Sequence, residues 1–318
     1  MRSERGFALL SVMLVLALLA VVVTEFAMST RLESSMIRAY RDGVLATHLA
    51  EAGVQQALWE ILGPATVVAL DADGILTFYR ASDPAATPVK MSQLPRQKVP
   101  LGAGDFSYRI SDEEARINVN TATPDRIASL LSSVGLDKQT RDVVGDSLQD
   151  WKDPDDLHRA NGAESEDYYL KLPVPYRARN GALQDTAELL QIRGITREIY
   201  TGAEGRPGLA DLVTVVGRDT VNMNTAAPGV LTALGLSAAE ISEIVAARAR
   251  APYATVPARF AGKGLGVGSA TFRIEAEGRV GGEPRARLVA IVQRQAQLAV
   301  TGAASFKTAI LSWRPGEP

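Results

Sequence analysis

RSERGFALLSVMLVLALLAVVVTEFAMST, residues 2–30, carries no charge between Phe7 and Val23, and Ser11 is the only polar residue in that run. Seventeen residues lie at the short end of what a helix needs to cross a bilayer. Arg2 and Arg5 precede the run, which places the N-terminus in the cytoplasm and the rest of the chain across the membrane. A secretory signal would close on small residues and a break. Here the run passes into Thr24-Glu25-Phe26-Ala27-Met28 with no helix breaker. Beyond it, Met28, Leu32, Met36, Tyr40, Val44, Thr47, Ala50, Val54, Ala57, Leu58 and Ile61 form a stripe at steps of three and four. Gly63-Pro64 then stops the pattern. The spacing predicts one helix over 7–62, roughly 84 Å long at 1.5 Å per residue. Its first third is apolar all round and the remainder amphipathic.

The rest of the 318-residue chain is long enough for one large or two ordinary domains. With 46% hydrophobic and 22% charged residues it has the composition of a folded protein. A net charge of −2 excludes the global basic footprint of nucleic-acid binders. The absence of cysteine excludes disulfides, thiolate metal sites and thiol nucleophiles. His48 and His158 are the only histidines and lie far apart in sequence.

The middle of the chain repeats itself. Ile117-Asn-Val-Asn-Thr-Ala122 matches Val221-Asn-Met-Asn-Thr-Ala226 at a constant offset. Each copy leads to a proline (Pro124, Pro228), an apolar helix pattern, and a hydrophobic–Gly–hydrophobic turn at Val134-Gly135-Leu136 or Leu234-Gly235-Leu236. Further helix patterns follow at Lys138–Trp151 and Ser237–Arg250. Asn-Thr and proline suit helix starts, and glycine suits the turn. Each copy therefore predicts a helix–hairpin–helix, with a weaker third copy at Glu188–Ile195. Such units often bind DNA phosphates through backbone amides. Residues 112–167, however, hold 14 Asp and Glu against 6 Lys and Arg, a net of −8, which should repel DNA. Protein contacts are the expected use.

Short alternating or β-branched segments flank this part: Ile75–Tyr79 and Asp105–Ile110 before it, Thr271–Ala276, Arg287–Gln293 and Phe306–Trp313 after it. Residues 81–104 read as a loop, and 262–269 as a glycine-rich return linker without the strand-to-helix context of a phosphate loop. The fold class expected is α+β: the long N-terminal helix packed on an antiparallel sheet, with residues 112–263 an inserted all-α domain between its strands. The remaining boundaries are 7–24 for the membrane segment, and 25–111 with 264–318 for the sheet domain.

A basic leader ending in Gly6, then Phe7, then an apolar helix running into an amphipathic one resembles type IV prepilins and pseudopilins. The resemblance implies that a prepilin peptidase removes residues 1–6 by cutting between Gly6 and Phe7, and that the helix is retained. Most of that family carries glutamate at the fifth position after the cut, where its carboxylate pairs with a neighbour's N-terminal amine; here the position is Ser11. The tip subunit, the K-type minor pseudopilin of the type II secretion system, is the member that lacks this glutamate. The motif order also resembles the K-type chains: Asn118-Val-Asn-Thr-Ala122, Asp150-Trp-Lys-Asp153, Gly162-Ala-Glu164 with Tyr168-Tyr169, Glu188-Leu189, and Asn222-Met-Asn-Thr-Ala226. This implies a pilin-like sheet domain and a single-pass inner-membrane protein with a periplasmic C-terminal domain. It implies assembly at the pseudopilus tip with the I-type and J-type minor pseudopilins and contact with the filament's other pseudopilins. No nucleic acid and no catalytic residues are expected, since no nucleophile or cofactor motif is recognisable. The competing reading is a membrane-tethered DNA-binding protein of an uptake system.

Asp153–Glu164 is a twelve-residue acidic loop. Against the calcium loop of an EF-hand, Asp153, Asp155 and Glu164 hold positions 1, 3 and 12, while Leu157 and His158 break positions 5 and 6. The K-type resemblance implies calcium in the helical domain. The candidate ligands are Asp150, Asp153, Asp155, Asp156 and Glu164, with Glu166 and Asp167 nearby. His158 is expected to be exposed.

Overall fold

The computed structural model describes residues 4–81, 83, 86–203, 205–298 and 304–316. Residues 1–3 of the expected leader lie outside the described residues. Helix α1 runs unbroken over Glu4–Ile61, 58 residues, as the apolar run and the absence of breakers predict. Its two halves differ sharply in burial. Leu9 to Arg41 are exposed throughout. Burial begins at Ala46 and continues through Leu49, Ala50, Val54, Ala57, Leu58 and Ile61. The stripe expected from Met28 onward is therefore packed only in its second half. Met28, Leu32, Met36, Tyr40 and Val44 project from a free arm, because the sheet begins only beyond them.

Three short strands follow: β1 (Val67–Leu70), β2 (Leu76–Arg80) and β3 (Val89–Lys90), an antiparallel sheet in that order. The sequence reading missed β1, and β3 falls in the expected loop. Next come β4 (Val99–Leu101) and β5 (Gly104–Asp112). The chain then leaves the sheet for residues 113–270, which among the described residues hold six short strands besides the helices and so are not the all-α insertion expected. In order these form β6 (Ile117–Asn118), α2 (Pro124–Ser133), α3 (Lys138–Lys152) and α4 (Arg197–Thr201). The small hairpin β7 (Gly202–Ala203) with β8 (Arg206–Pro207), then α5 (Leu209–Leu212) and β9 (Val213–Thr214), come next. The stretch closes with β10 (Val221–Asn222), α6 (Pro228–Ala233), α7 (Ala238–Arg248) and β11 (Leu265–Gly266). The last strands are β12 (Thr271–Val280), β13 (Glu283–Leu298) and β14 (Ala304–Pro315).

The larger sheet is five-stranded and antiparallel, in the order β14-β13-β12-β5-β4. β5 and β12 are direct neighbours, with Asp112 opposite Phe272, so the chain returns beside the point where it left. Two clusters of buried apolar residues result. One joins α1 from Ala46 to Ile61 with Phe106, Tyr108, Ile110, Phe272, Ile274 and Val292. The other lies wholly within 117–265 and centres on Trp151, against which Tyr169 and Tyr176 pack edge-on.

Within 113–270 the prolines take the first helical position, as expected, but the asparagines do not cap the helices. Thr123 caps α2 through its side chain, and Ala227 precedes α6 with no side-chain cap. Gly135 and Gly235 take φ of 86° and 79° between paired helices, the left-handed region that glycine enters without steric cost. Gly194 repeats the geometry between a short 3-10 helix (Thr186–Gln191) and α4. The 262–269 stretch is more than a linker, since β11 within it pairs in parallel with β10.

Candidate functional site

The first place the sequence singles out is the N-terminal arm. The backbone of Gly6 and Phe7 is helical, while their side chains lie outside the described residues. Ser11 sits on the exposed arm one turn further on. No part of the described chain packs over Leu9 to Arg41, and the helix that carries this segment holds an apolar stretch long enough to cross a membrane.

The second is the asparagine repeat, whose role the structure redefines. Asn118 and Asn222 each accept the amide of the asparagine two residues on, at 3.0 Å. That second asparagine is a staple. Asn120 Nδ2 donates to the carbonyls of Leu183 (2.9 Å) and Val215 (2.8 Å), and its Oδ1 accepts the Leu183 amide at 2.9 Å. Asn224 Nδ2 donates to the carbonyls of Tyr253 (3.0 Å) and Val267 (3.4 Å), and its Oδ1 accepts the Tyr253 amide at 2.8 Å. The strands duplicate as well: β6 pairs in parallel with β9, as β10 does with β11. Each second helix ends in a cation that turns back onto its repeat. Lys152 Nζ donates to Val119 O (2.8 Å), and Arg248 Nη1 donates to Met223 O (2.8 Å) and Ala226 O (2.7 Å). Burial holds both cations below their ordinary pKa. Sequence reasoning missed these contacts, because nothing in the local pattern marks a partner 22 to 95 residues away.

The second copy also fastens the module to the sheet. Asn222 Nδ2 donates to Val68 O, Asp112 Oδ2 and Ser269 Oγ, at 2.8–3.0 Å. Asp112 Oδ2 also accepts the hydroxyls of Thr225 and Ser269, both at 2.6 Å. Despite these donors, burial pushes the Asp112 carboxyl up to about 6 from an ordinary 3.8. A carboxyl raised on folding binds protons more tightly in the native chain. Its contribution is therefore complete below about pH 4 and lost as pH rises through 6, on the order of 3 kcal/mol. Asp112→Asn should flatten the chain's stability between pH 4 and pH 7 by that amount in urea titrations. Equal slopes in the two proteins would show that Asp112 ionises normally.

The third place is the acidic loop. Asp150 is fully buried at the end of α3 and accepts the Arg159 amide (3.1 Å) and Arg159 Nη1 (2.7 Å). The same Nη1 reaches Asp153 Oδ2 at 2.6 Å. Asp155 Oδ1 accepts the Leu157 amide, and Asp156 Oδ1 accepts Asn180 Nδ2. Glu164 is 2% exposed, and neither of its carboxylate oxygens has a hydrogen-bond partner; Asp153 Oδ1 is similarly buried and unpartnered. Burial, reinforced by the charges of Asp150, Asp153 and Asp156, pushes the Glu164 carboxyl up to about 7. Gly162 is needed for this closeness, since a Cβ there would stand 1.8 Å from Asp150 Oδ2. Among the described residues no three Asp, Glu or His side chains form a group already positioned to hold a metal. The donor chemistry nevertheless fits a hard cation: three carboxylate oxygens, both of Glu164 and one of Asp153, are buried without a donor. His158 is exposed.

The charge on this surface is milder than the sequence count. Five of the 14 acids in 112–167, namely Asp112, Glu113, Glu114, Asp150 and Glu164, are inside. Nine then face 6 basic residues, an excess of three acids (9 − 6).

A family model described as "Type II secretion system (T2SS), protein K" matches residues 108–205. The chain is 31% identical over 220 residues to the type II secretion system protein K of Pectobacterium carotovorum subsp. carotovorum, covering 63% of this chain and 61% of that protein. It is 27% identical over 268 residues to the protein of the same name from Pseudomonas aeruginosa, covering 78% and 74%. The chain thus spans about three-fifths of the first relative's length. Its fold matches a chain in the crystal structure of the GspK-GspI-GspJ complex of enterotoxigenic Escherichia coli, with a TM-score of 0.61 at 17% identity over 90% of this chain and all of that one. An apolar helical arm laid on an antiparallel sheet, with a helical module between neighbouring strands, is the fold the chain shares with that structure. Residues 108–205 match the type II secretion system protein K family, and the chain is similar to the proteins of that name.

Proposed function

We propose that the chain is a minor pseudopilin that closes the tip of the type II secretion pseudopilus, anchored in the inner membrane by α1 until assembly, with its sheet domain and helical module in the periplasm. The partners are the I-type and J-type minor pseudopilins, as in the complex of its structural neighbour, then the filament's other pseudopilins. The observation that carries this reading is the position of the module. It is inserted between adjacent strands β5 and β12 and adds a second core beside that of the sheet domain. Such bulk suits the end of a filament better than every step along its shaft. The paired helices α2–α3 and α6–α7 act as helix–hairpin–helix units within residues 112–263, serving protein contacts. The role is assembly, with no catalytic residue. DNA uptake is disfavoured by the excess of surface acids.

Coexpression with the prepilin peptidase and the I-type and J-type proteins of the same genome tests this. The expected result is loss of residues 1–6, leaving Phe7 first, and copurification of all three subunits. An intact leader, or a chain that brings down neither partner, ends the proposal.

Calcium is part of the same reading. Asp150, Asp153 and Glu164 would hold it, with Asp155 and Asp156 completing the acidic wall; the ion would neutralise carboxylates that Arg159 balances only in part. Millimolar calcium should raise Tm by several degrees in the wild type. Glu164→Gln should abolish the rise. No shift in the wild type would remove calcium from the account.

A further inference from the structure

The five-stranded sheet ends on a strand with one open side. Among the described residues β14 pairs only with β13. The direction of its free backbone groups follows from its neighbours. Arg294 donates its amide to Ala270 O at 2.6 Å, away from β14. The Arg294–Thr308 pair is therefore not hydrogen-bonded, and Thr308 turns its N–H and C=O outward. Ile310, two residues on, shares that direction.

The side chains along this edge are also unmatched. Ile310 stands opposite Val292 and Trp313 opposite Ala290, both buried on the α1 side of the sheet. Yet Ile310 is 52% and Trp313 41% exposed, because α1 covers the inner strands and stops short of the edge. Edge strands are usually blunted by charge, proline or a bulge. Here the bulge lies beyond Ile310, proline comes only at Pro315, and Lys307 is the one charge from Phe306 to Ile310.

The charges also select the occupant. The strand's only charged residues are Lys307 and Arg314, and Arg314 is half committed to Asp185 at 2.8 Å. The antiparallel register that overlaps the whole of Phe306–Pro315 with a second copy, about Ile310–Leu311, would set Lys307 directly against Arg314, a destabilising like-charge pair. We propose that the β14 edge from Phe306 to Trp313 is a docking strip for an extended strand of another protein. That strand is apolar on the α1 side and carries a carboxylate facing Lys307. Backbone hydrogen bonds supply affinity, and the Ile310–Trp313 row with Lys307 supplies selectivity. The inference stands on the sheet edge alone and is independent of the role at a filament tip.

The test uses the full chain in detergent micelles and a fluorescent peptide, Glu-Val-Thr-Val-Thr-Val-Glu, read by anisotropy. Saturable binding with Kd below about 1 mM is expected, at least ~10-fold tighter than for the same peptide with lysine ends. Thr308→Pro removes an outward N–H, a substitution edge strands tolerate; it should leave Tm nearly unchanged and weaken binding ~10-fold. Lys307→Glu, which does not touch the backbone, should reverse the preference between the two peptides. Absence of saturable binding overturns the proposal, as does binding unchanged in both variants. Self-association of the chain that the peptide displaces would also overturn it, by making a second copy the occupant.

Discussion

Glu60→Ala should lower the stability of the folded chain by ~3–5 kcal/mol, read as a fall in the urea midpoint at unchanged slope. Glu60 lies in the last turn of α1, 8% exposed, and takes Arg96 Nη2 at 2.6 Å and Nε at 3.2 Å. The Tyr108 hydroxyl of β5 donates to the same carboxylate. Arg96 also donates to Leu76 O in β2 at 2.9 Å, and Gln56 Nε2 holds Pro95 O at 2.8 Å. One carboxylate thus joins the helix, both sheets and the loop before β4. Removing it leaves a guanidinium whose side chain is 9% exposed with no anion to balance it, only the Leu76 carbonyl and the face of the Tyr108 ring. That uncompensated charge, more than the lost pair, sets the size of the effect. Arg96→Ala strands the other partner, and the double variant should lose clearly less than the sum of the two. A loss under about 1 kcal/mol in Glu60→Ala would mean that water reaches the pair, and that it behaves as a surface bridge.

The long helix was legible because its signal is local: an apolar run, helical spacing and no breaker before Gly63-Pro64. The exposure of Met28 to Val44 was not, since an amphipathic stripe says that a face will be covered without saying by what. Among the strands, β1 escaped notice because Val67–Leu70 is four residues with no alternation, buried at Val67, Val68 and Ala69. In the acidic loop, spacing identified the carboxylates. It did not show that Asp150 and Glu164 turn inward, or that Arg159 reaches back to Asp150 and Asp153. The charge argument against DNA weakened for the same reason, since a count over the sequence treats buried acids as surface.

The asparagine repeat yields the second large effect, and it separates the two copies. Asn120→Ala should cost ~3–5 kcal/mol, because three backbone groups at Leu183 and Val215 lose their partners, each worth about 1–3 kcal/mol when buried. Leu183 and Val215 are themselves buried, so water does not readily replace the amide. Asn224→Ala frees the equivalent groups at Tyr253 and Val267, which are only half-buried, and its bond to Val267 O is already long at 3.4 Å. It should cost less, ~2–3 kcal/mol. Asn161→Ala, on an exposed asparagine, should stay within about 0.5 kcal/mol. Asn120→Asp is the sharper test of mechanism. It keeps the shape but sets a carboxylate oxygen against two carbonyls, and should cost at least as much as alanine. If instead the asparagines capped helices, aspartate would serve as well as asparagine and both alanine variants would lose only ~1 kcal/mol. The ranking Asn120→Asp ≥ Asn120→Ala > Asn224→Ala > Asn161→Ala is therefore what the staple requires and the cap forbids.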